Sequence, residues 1–171
     1  IQNNRQNFNL LVLKDQYKIA LITGSPNKNT SIIKNIIKKN KRIKLDHYVQ
    51  LMNQKFKPNI REFWELPYEL IIFDNYPIQP LSENLTRILG KKIISNQSGL
   101  MHLTGPNQTS KSLYRINSIL GVELIDSTQT SEKVFWDFIE RKNNLDFDYP
   151  PLVQTFFITG NNLNTDSLAI F

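Results

Sequence analysis

Short apolar runs recur along the chain, and most of them end at residues that favour turns. Residues 17–23 (YKIALIT) form a nearly continuous apolar run that stops at Gly24, a pattern typical of a strand buried on both faces of a sheet. Residues 8–13 (FNLLVL) predict an earlier short strand. Further strands are predicted at 43–51, 69–74, 100–104 and 121–126.

Amphipathic segments between these runs predict helices. Thr30 or Ser31 can cap a first helix that ends near Asn40, with isoleucines at 32, 33, 36 and 37 as its apolar stripe. Ser82 can cap a short helix that ends at Gly90, and residues 91–96 then predict a strand-like run. One or two helical turns are predicted over 59–66, and a longer helix over 109–120, which Gly121 closes.

The alternation of strands and helices predicts an α/β fold, a doubly wound and mostly parallel sheet flanked by helices. Residues 1–13 are expected to be a strand or the tail of a preceding domain, and residues 14–171 one domain. The C-terminal fifth has a less regular pattern. Its aromatic residues Phe135, Trp136, Phe138 and Tyr149, together with Trp64, can either pack in the core or form a docking surface.

The 171 residues include no cysteine, and this absence limits the possible chemistry. It excludes disulfides, thiolate metal sites and thiol nucleophiles, and it leaves His47 and His102 as the imidazole candidates. No cluster of carboxylates supports a metal site, and no cofactor is expected.

The net charge of +6 is concentrated in a basic run from Lys34 to Lys44. This run can be a solvated helix end, because cations complement the dipole at a helix C-terminus, or it can attract phosphates or anionic lipid. No apolar stretch approaches the roughly 20 residues that cross a bilayer. The chain begins without Met, so we expect a piece of a longer protein.

Several segments resemble a known family in their order and spacing: NNRQNFNLLVL, YKIALITGSPN, YELIIFDNYP, GLMHLTGPNQT and YPPLVQTFF. In that order the chain resembles the glutamine amidotransferase-like domain of large membrane-anchored bacterial proteins that also contain von Willebrand factor A-like regions. The resemblance implies a flavodoxin-like fold shared with class I amidotransferases. It also implies an extracytoplasmic (periplasmic) location behind an anchor outside this segment, with neighbouring domains of the parent chain or envelope proteins as partners.

The comparable nucleophile turn is residues 102–108 (HLTGPNQ), which offers no thiol and is followed by no further histidine. Cysteine-dependent amidotransferase activity is therefore excluded. The turn at 24–31 (GSPNKNTS) departs from a phosphate loop, because it lacks the second Gly and the Lys before the hydroxyl residue, and Pro26 removes a backbone donor.

Ligands of open α/β sheets bind at the carboxyl ends of the strands, so the loops there supply the candidate site. The candidate ligand-binding residues are Ser25, Asn27, Asp74, Tyr76, Thr104 and Asn107.

Three functions remain open at this point. The first is a non-catalytic amidotransferase-like binding or scaffolding domain of a larger envelope protein, with no nucleic-acid partner. The second is a hydrolase that uses Thr104, Ser110 or Asp74 at the strand ends. The third is a binder of anionic surfaces or nucleic acid through residues 34–44.

Overall fold

The computed structural model describes residues 16–126 and five short strand segments beyond them, at 133–134, 137–138, 152–153, 157–160 and 169–170. The predicted strand at 8–13 and the aromatic residues Phe135, Trp136 and Tyr149 lie outside the described residues. The central strands are β1 (Tyr17–Thr23), β2 (Ile43–Gln50), β3 (Phe56–Lys57), β4 (Leu70–Asp74) and β5 (Gly99–Leu103). The helices are α1 (Lys28–Lys38), α2 (Arg61–Glu65), α3 (Glu83–Asn96) and α4 (Ser110–Leu120).

The five central strands form one mixed sheet in the order β3-β2-β1-β4-β5. Strands β2, β1, β4 and β5 run parallel, and the two-residue β3 pairs antiparallel to β2 at the edge. The prediction of an α/β fold with a mostly parallel sheet is thereby confirmed. The four parallel strands end at a common edge, which we call the carboxyl edge.

Helices cover the two faces of the sheet unequally. Successive side chains of a strand point to opposite faces, so alternate residues pack against different helices. Ala20, Ile22, Ile71 and Phe73 point to one face and form a buried cluster, to which α2, α3 and α4 contribute Phe63, Leu89, Leu113 and Ile116. The alternate residues Ile19, Leu21 and Ile72 point to the other face and pack with Ile37 of α1. The core therefore lies on both sides of β1 and β4.

Helix α1 begins earlier than the sequence predicts, because its cap is Asn27 rather than Thr30 or Ser31. The Asn27 side chain accepts a hydrogen bond from the backbone N–H of Thr30 (3.2 Å), and the Thr30 hydroxyl accepts one from the N–H of Asn27 (3.0 Å). This reciprocal capping box satisfies two donors that the start of a helix leaves free.

Helix α3 does not end at Gly90, and the predicted strand-like run over 91–96 is wrong. The helix continues to Asn96 and is closed by Gln97 in the left-handed conformation (φ 52°). Leu89 is buried and Ile93 packs against the same cluster, so the apolar stripe persists at helical spacing past the glycine. This packing outweighs the weak helix propensity of a single glycine.

The last predicted strand forms but joins a different sheet. Strand β6 (Val122–Asp126) pairs antiparallel with β10 (Phe157–Gly160), and the five-stranded sheet does not include it. Four further short strands, paired two by two, are β7 (Lys133–Val134) with β9 (Leu152–Val153), and β8 (Asp137–Phe138) with β11 (Ala169–Ile170).

Candidate functional site

The six predicted site residues lie in three loops at the carboxyl edge. Ser25 and Asn27 follow β1, Asp74 and Tyr76 are at or after the end of β4, and Thr104 and Asn107 follow β5. Because these strands are parallel neighbours, their loops lie side by side. Asn27, however, serves as the cap of α1.

Asn75 holds these three loops together. The chain reverses direction across the sheet at β1, whose neighbours are β2 and β4, and such a switch point usually leaves a crevice for a ligand. Asn75 is fully buried there in a left-handed conformation (φ 50°). Its amide nitrogen donates to the carbonyl of Ser25 (3.2 Å) and to Oδ1 of Asn107 (3.1 Å), and its Oδ1 accepts from the N–H of Asn107 (3.2 Å).

Two glycines allow the backbones to approach this asparagine closely. A Cβ added at Gly24 would lie 2.1 Å from the carbonyl oxygen of Asn75, and one added at Gly105 would lie 2.4 Å from its Cγ. Neither distance is possible between real atoms, so only glycine fits at these positions. The switch-point crevice is thus filled by the protein's own atoms.

Asp74 is likewise internal. Its carboxylate is completely buried, and Oδ2 accepts hydrogen bonds from the hydroxyls of Thr30 (2.5 Å) and Thr23 (3.5 Å). Its Oδ1 is buried and has no hydrogen-bond partner among the described residues. A carboxylate in this position ties α1 to the ends of β1 and β4, and it is out of reach of a substrate in solvent.

A hydroxyl and an imidazole do meet near Asp74. Nε2 of His47 lies 3.0 Å from the hydroxyl of Thr23. Because this hydroxyl donates its hydrogen to Asp74, Nε2 is the donor toward Thr23 and does not act as its base. Burial, with a contribution from Lys34, lowers the pKa of His47 to about 4, so its imidazole is neutral at neutral pH. Thr23 is fully buried, however, so its hydroxyl cannot attack a substrate from solvent.

His102 is held by hydrogen bonds in the loop after β5. The side-chain amide of Gln108 accepts from the N–H of Gly105 (3.0 Å), so its nitrogen is the atom that faces Nε2 of His102 (3.1 Å). That nitrogen donates, Nε2 accepts, and a backbone hydrogen bond with Tyr76 engages the ring as well. Burial lowers the pKa of His102, in agreement with a neutral structural imidazole.

Among the described residues, neither proposed substitute nucleophile is hydrogen-bonded to a histidine or a carboxylate. Thr104 is exposed and Ser110 is half-buried at the start of α4, and in the described part of the chain both histidines are bonded to other residues. No local sequence motif marks the Thr23–His47 pair or Asn75, because their partners are remote along the chain.

A cavity of about 930 Å³ opens beside the carboxyl edge, on the face that α2, α3 and α4 cover. Its apolar wall comprises Phe56, Ile60, Trp64, Tyr76, Leu81 and Leu85. Its hydrogen-bonding groups include Gln50, Gln54, Gln79, Ser82, Ser110 and Asn117. Pro80 and three residues of α4, Lys111, Tyr114 and Arg115, complete the lining. Of the six predicted ligand-binding residues only Tyr76 lines this cavity, and of the candidate nucleophiles Ser110 does.

Tyr76 and Trp64 connect the cavity to the core. Tyr76 packs edge-on against Phe73 (5.1 Å between centroids) and Phe56 (5.9 Å), and burial raises the pKa of its hydroxyl to about 12. Trp64 contacts Phe63 in the same way (4.8 Å) and is only partly buried. The aromatic wall is therefore anchored in the core.

Within the described residues, no group of three or more Asp, Glu and His side chains could hold a metal ion. Across the same residues, no helix has the length and apolarity needed to span a bilayer. The basic run lies at the end of α1 and the start of β2, on the edge opposite the cavity.

The fold and the site define an α/β domain with a filled switch-point crevice and an open cavity beside it. The chain matches no protein-family model, and comparisons with curated proteins and with solved structures give no match either.

Proposed function

We propose that this domain binds a ligand or partner and does not catalyse a reaction. The observation that carries the proposal is the filled crevice: Asn75, against Gly24 and Gly105, occupies the place where related architectures admit a substrate. The adjacent cavity does offer room for a ligand, and its lining holds no histidine and no carboxylate. The two commonest kinds of general base, an imidazole and a carboxylate, are therefore missing from this lining.

The fold and the sequence resemblance support a finer proposal. The parallel strands β2, β1, β4 and β5 follow the 2-1-3-4 order with which the flavodoxin-like arrangement begins. We infer an amidotransferase-like domain without the nucleophile, since the chain has no cysteine.

The resemblance also motivates a proposal about location. We infer that the domain sits on the extracytoplasmic face of a larger anchored protein, where it binds neighbouring domains or envelope proteins. Protease added to spheroplasts should cleave this domain of the parent protein from outside. Protection until the membrane is lysed would contradict this location.

A fluorophosphonate probe tests the non-catalytic proposal, because it labels hydroxyl nucleophiles that an adjacent base activates. We expect no stoichiometric labelling of the folded chain, whereas a serine hydrolase under the same conditions is labelled. Thr104→Val and Ser110→Ala are the matched variants. Labelling of the native chain that either substitution abolishes would establish an activated nucleophile and overturn the proposal.

A further inference from the structure

The cavity beside the carboxyl edge has a composition that selects for one class of ligand. We propose that it binds a small organic anion with a flat ring system and at least one hydrogen-bond donor. This inference rests on the proposed binding function and specifies its ligand class. Size, charge and hydrogen-bonding capacity each contribute a separate argument.

The size and the wall of the cavity suit a ring-bearing small molecule. Its volume of about 930 Å³ lies in the range of ligand pockets, roughly 300–1,000 Å³. Phe56, Trp64 and Tyr76 supply aromatic surface, and their contacts with the core and with one another fix their orientation. Flat rings pack favourably on aromatic side chains in offset or edge-on arrangements.

The charge of the lining is entirely positive. Lys111 and Arg115 are its charged residues, four positions apart on α4 and so on the same side of that helix. The Arg115 guanidinium donates to the carbonyl of Leu81 (2.8 Å), which holds this cation at the cavity wall. With no carboxylate in the lining, an anionic group on the ligand is the natural counter-charge.

An unpaired acceptor indicates the third feature of the ligand. Oε1 of Gln50 is buried and has no hydrogen-bond partner among the described residues, although Gln50 belongs to the cavity lining. Buried acceptors are rarely left unsatisfied in folded proteins. If the Gln50 amide turns toward the cavity, a donor on the bound molecule can satisfy this oxygen. The amides of Gln54 and Gln79 in the lining can bond to the other polar groups of the ligand.

The test uses anilinonaphthalene sulfonate, an aromatic anion with an N–H donor, and its uncharged parent phenylnaphthylamine. We expect saturable binding of the anion at one site, and Lys111→Gln should weaken it about threefold, as expected for a solvent-exposed charge pair. Phenylnaphthylamine should bind the native chain and Lys111→Gln equally well. Lys91→Gln, an exposed lysine of α3 outside the lining, is the matched control and should affect neither probe.

A second readout places the probe in the cavity. In a Trp136→Phe background Trp64 is the remaining tryptophan, and its fluorescence should be quenched with the same half-saturation as the binding curve. Near-ultraviolet circular dichroism checks that each variant is folded.

Three results would overturn the inference: non-saturable binding, equal effects of Lys111→Gln and Lys91→Gln, or binding that leaves Trp64 unquenched. None of them bears on catalysis, which the fluorophosphonate probe reports separately. Labelling by that probe would instead count against the proposed function.

Discussion

Thr23, Thr30 and His47 surround the buried carboxylate of Asp74, and together they form a polar cluster beneath the carboxyl edge. Each hydrogen bond joins a different pair of elements: β1 with β2, β1 with β4, and α1 with β4. A partly satisfied network is sensitive to any added charge, because the surroundings have a low dielectric constant. The cluster is thus a structural unit whose stability depends on a neutral His47.

His47 gives the domain a predictable sensitivity to acid. Its pKa is lowered to about 4 in the folded state, so the unfolded chain binds more protons between that value and about 6.5. The free energy of unfolding should therefore fall as the pH drops through this window. Urea titrations at about pH 7 and about pH 5 should show a smaller loss for His47→Gln than for the native chain.

The difference between the two proteins isolates His47, because every other residue is the same in both. If both chains lose the same free energy over the window, His47 is not the residue responsible.

At the scale of elements, the sequence predicts most of the helices and strands in their correct order. It fails where one residue has two common structural roles. Gly90 predicts the end of a helix because glycine often follows the last turn, yet Leu89 and Ile93 continue the buried stripe across it. The position of Asn27 after β1 predicts a ligand contact, but Asn is also among the best helix caps, and Asn27 caps α1. A local sequence pattern cannot distinguish these alternatives, because packing against the sheet determines which one forms.

Gly90 therefore offers a test of the helix itself. Nothing lies within 4 Å of a Cβ added there, so Gly90→Ala should raise the free energy of unfolding by about 0.5–1 kcal/mol. Gly121→Ala is the opposite case, because Gly121 has φ 70° and alanine there should cost about 1–2 kcal/mol. Chemical denaturation measures both. A destabilised Gly90→Ala would mean that the helix stops at Gly90.

On the scale of the whole molecule, parallel strands place the candidate loops at one edge, and this much follows from the sequence alone. The closure of the crevice does not, because Asn75 bonds to Ser25 and Asn107, which are 50 and 32 residues away. No sequence motif predicts the cavity either, because its lining residues are spread between positions 50 and 117. The closed crevice and the cavity both depend on strand register and side-chain packing, which cannot be read from a single sequence.

The distribution of charge across the molecule allows a further prediction. The basic run ends where β2 begins, and the cavity includes Gln50 at the other end of that eight-residue strand, about 23 Å away. This distance is about three Debye lengths at physiological ionic strength. Replacing Lys38, Lys39 and Lys41 with Gln should weaken retention on heparin but leave the affinity for anilinonaphthalene sulfonate unchanged.

Lys111→Gln should show the reverse: a weaker affinity for anilinonaphthalene sulfonate and a nearly unchanged retention on heparin. If the triple variant weakened the probe as much as Lys111→Gln does, the two charged regions would not be independent.

The position of Asn75 also has a consequence for the motions of the edge. Its backbone N–H donates to the carbonyl of Leu103, and its side chain bonds to loops that follow β1 and β5. Neither of these two loops can swing outward without breaking a hydrogen bond to Asn75, and Asn75 cannot move without breaking its bonds to both. The three loops should open as one cooperative unit, with their amide protons exchanging together and slowly rather than one loop at a time.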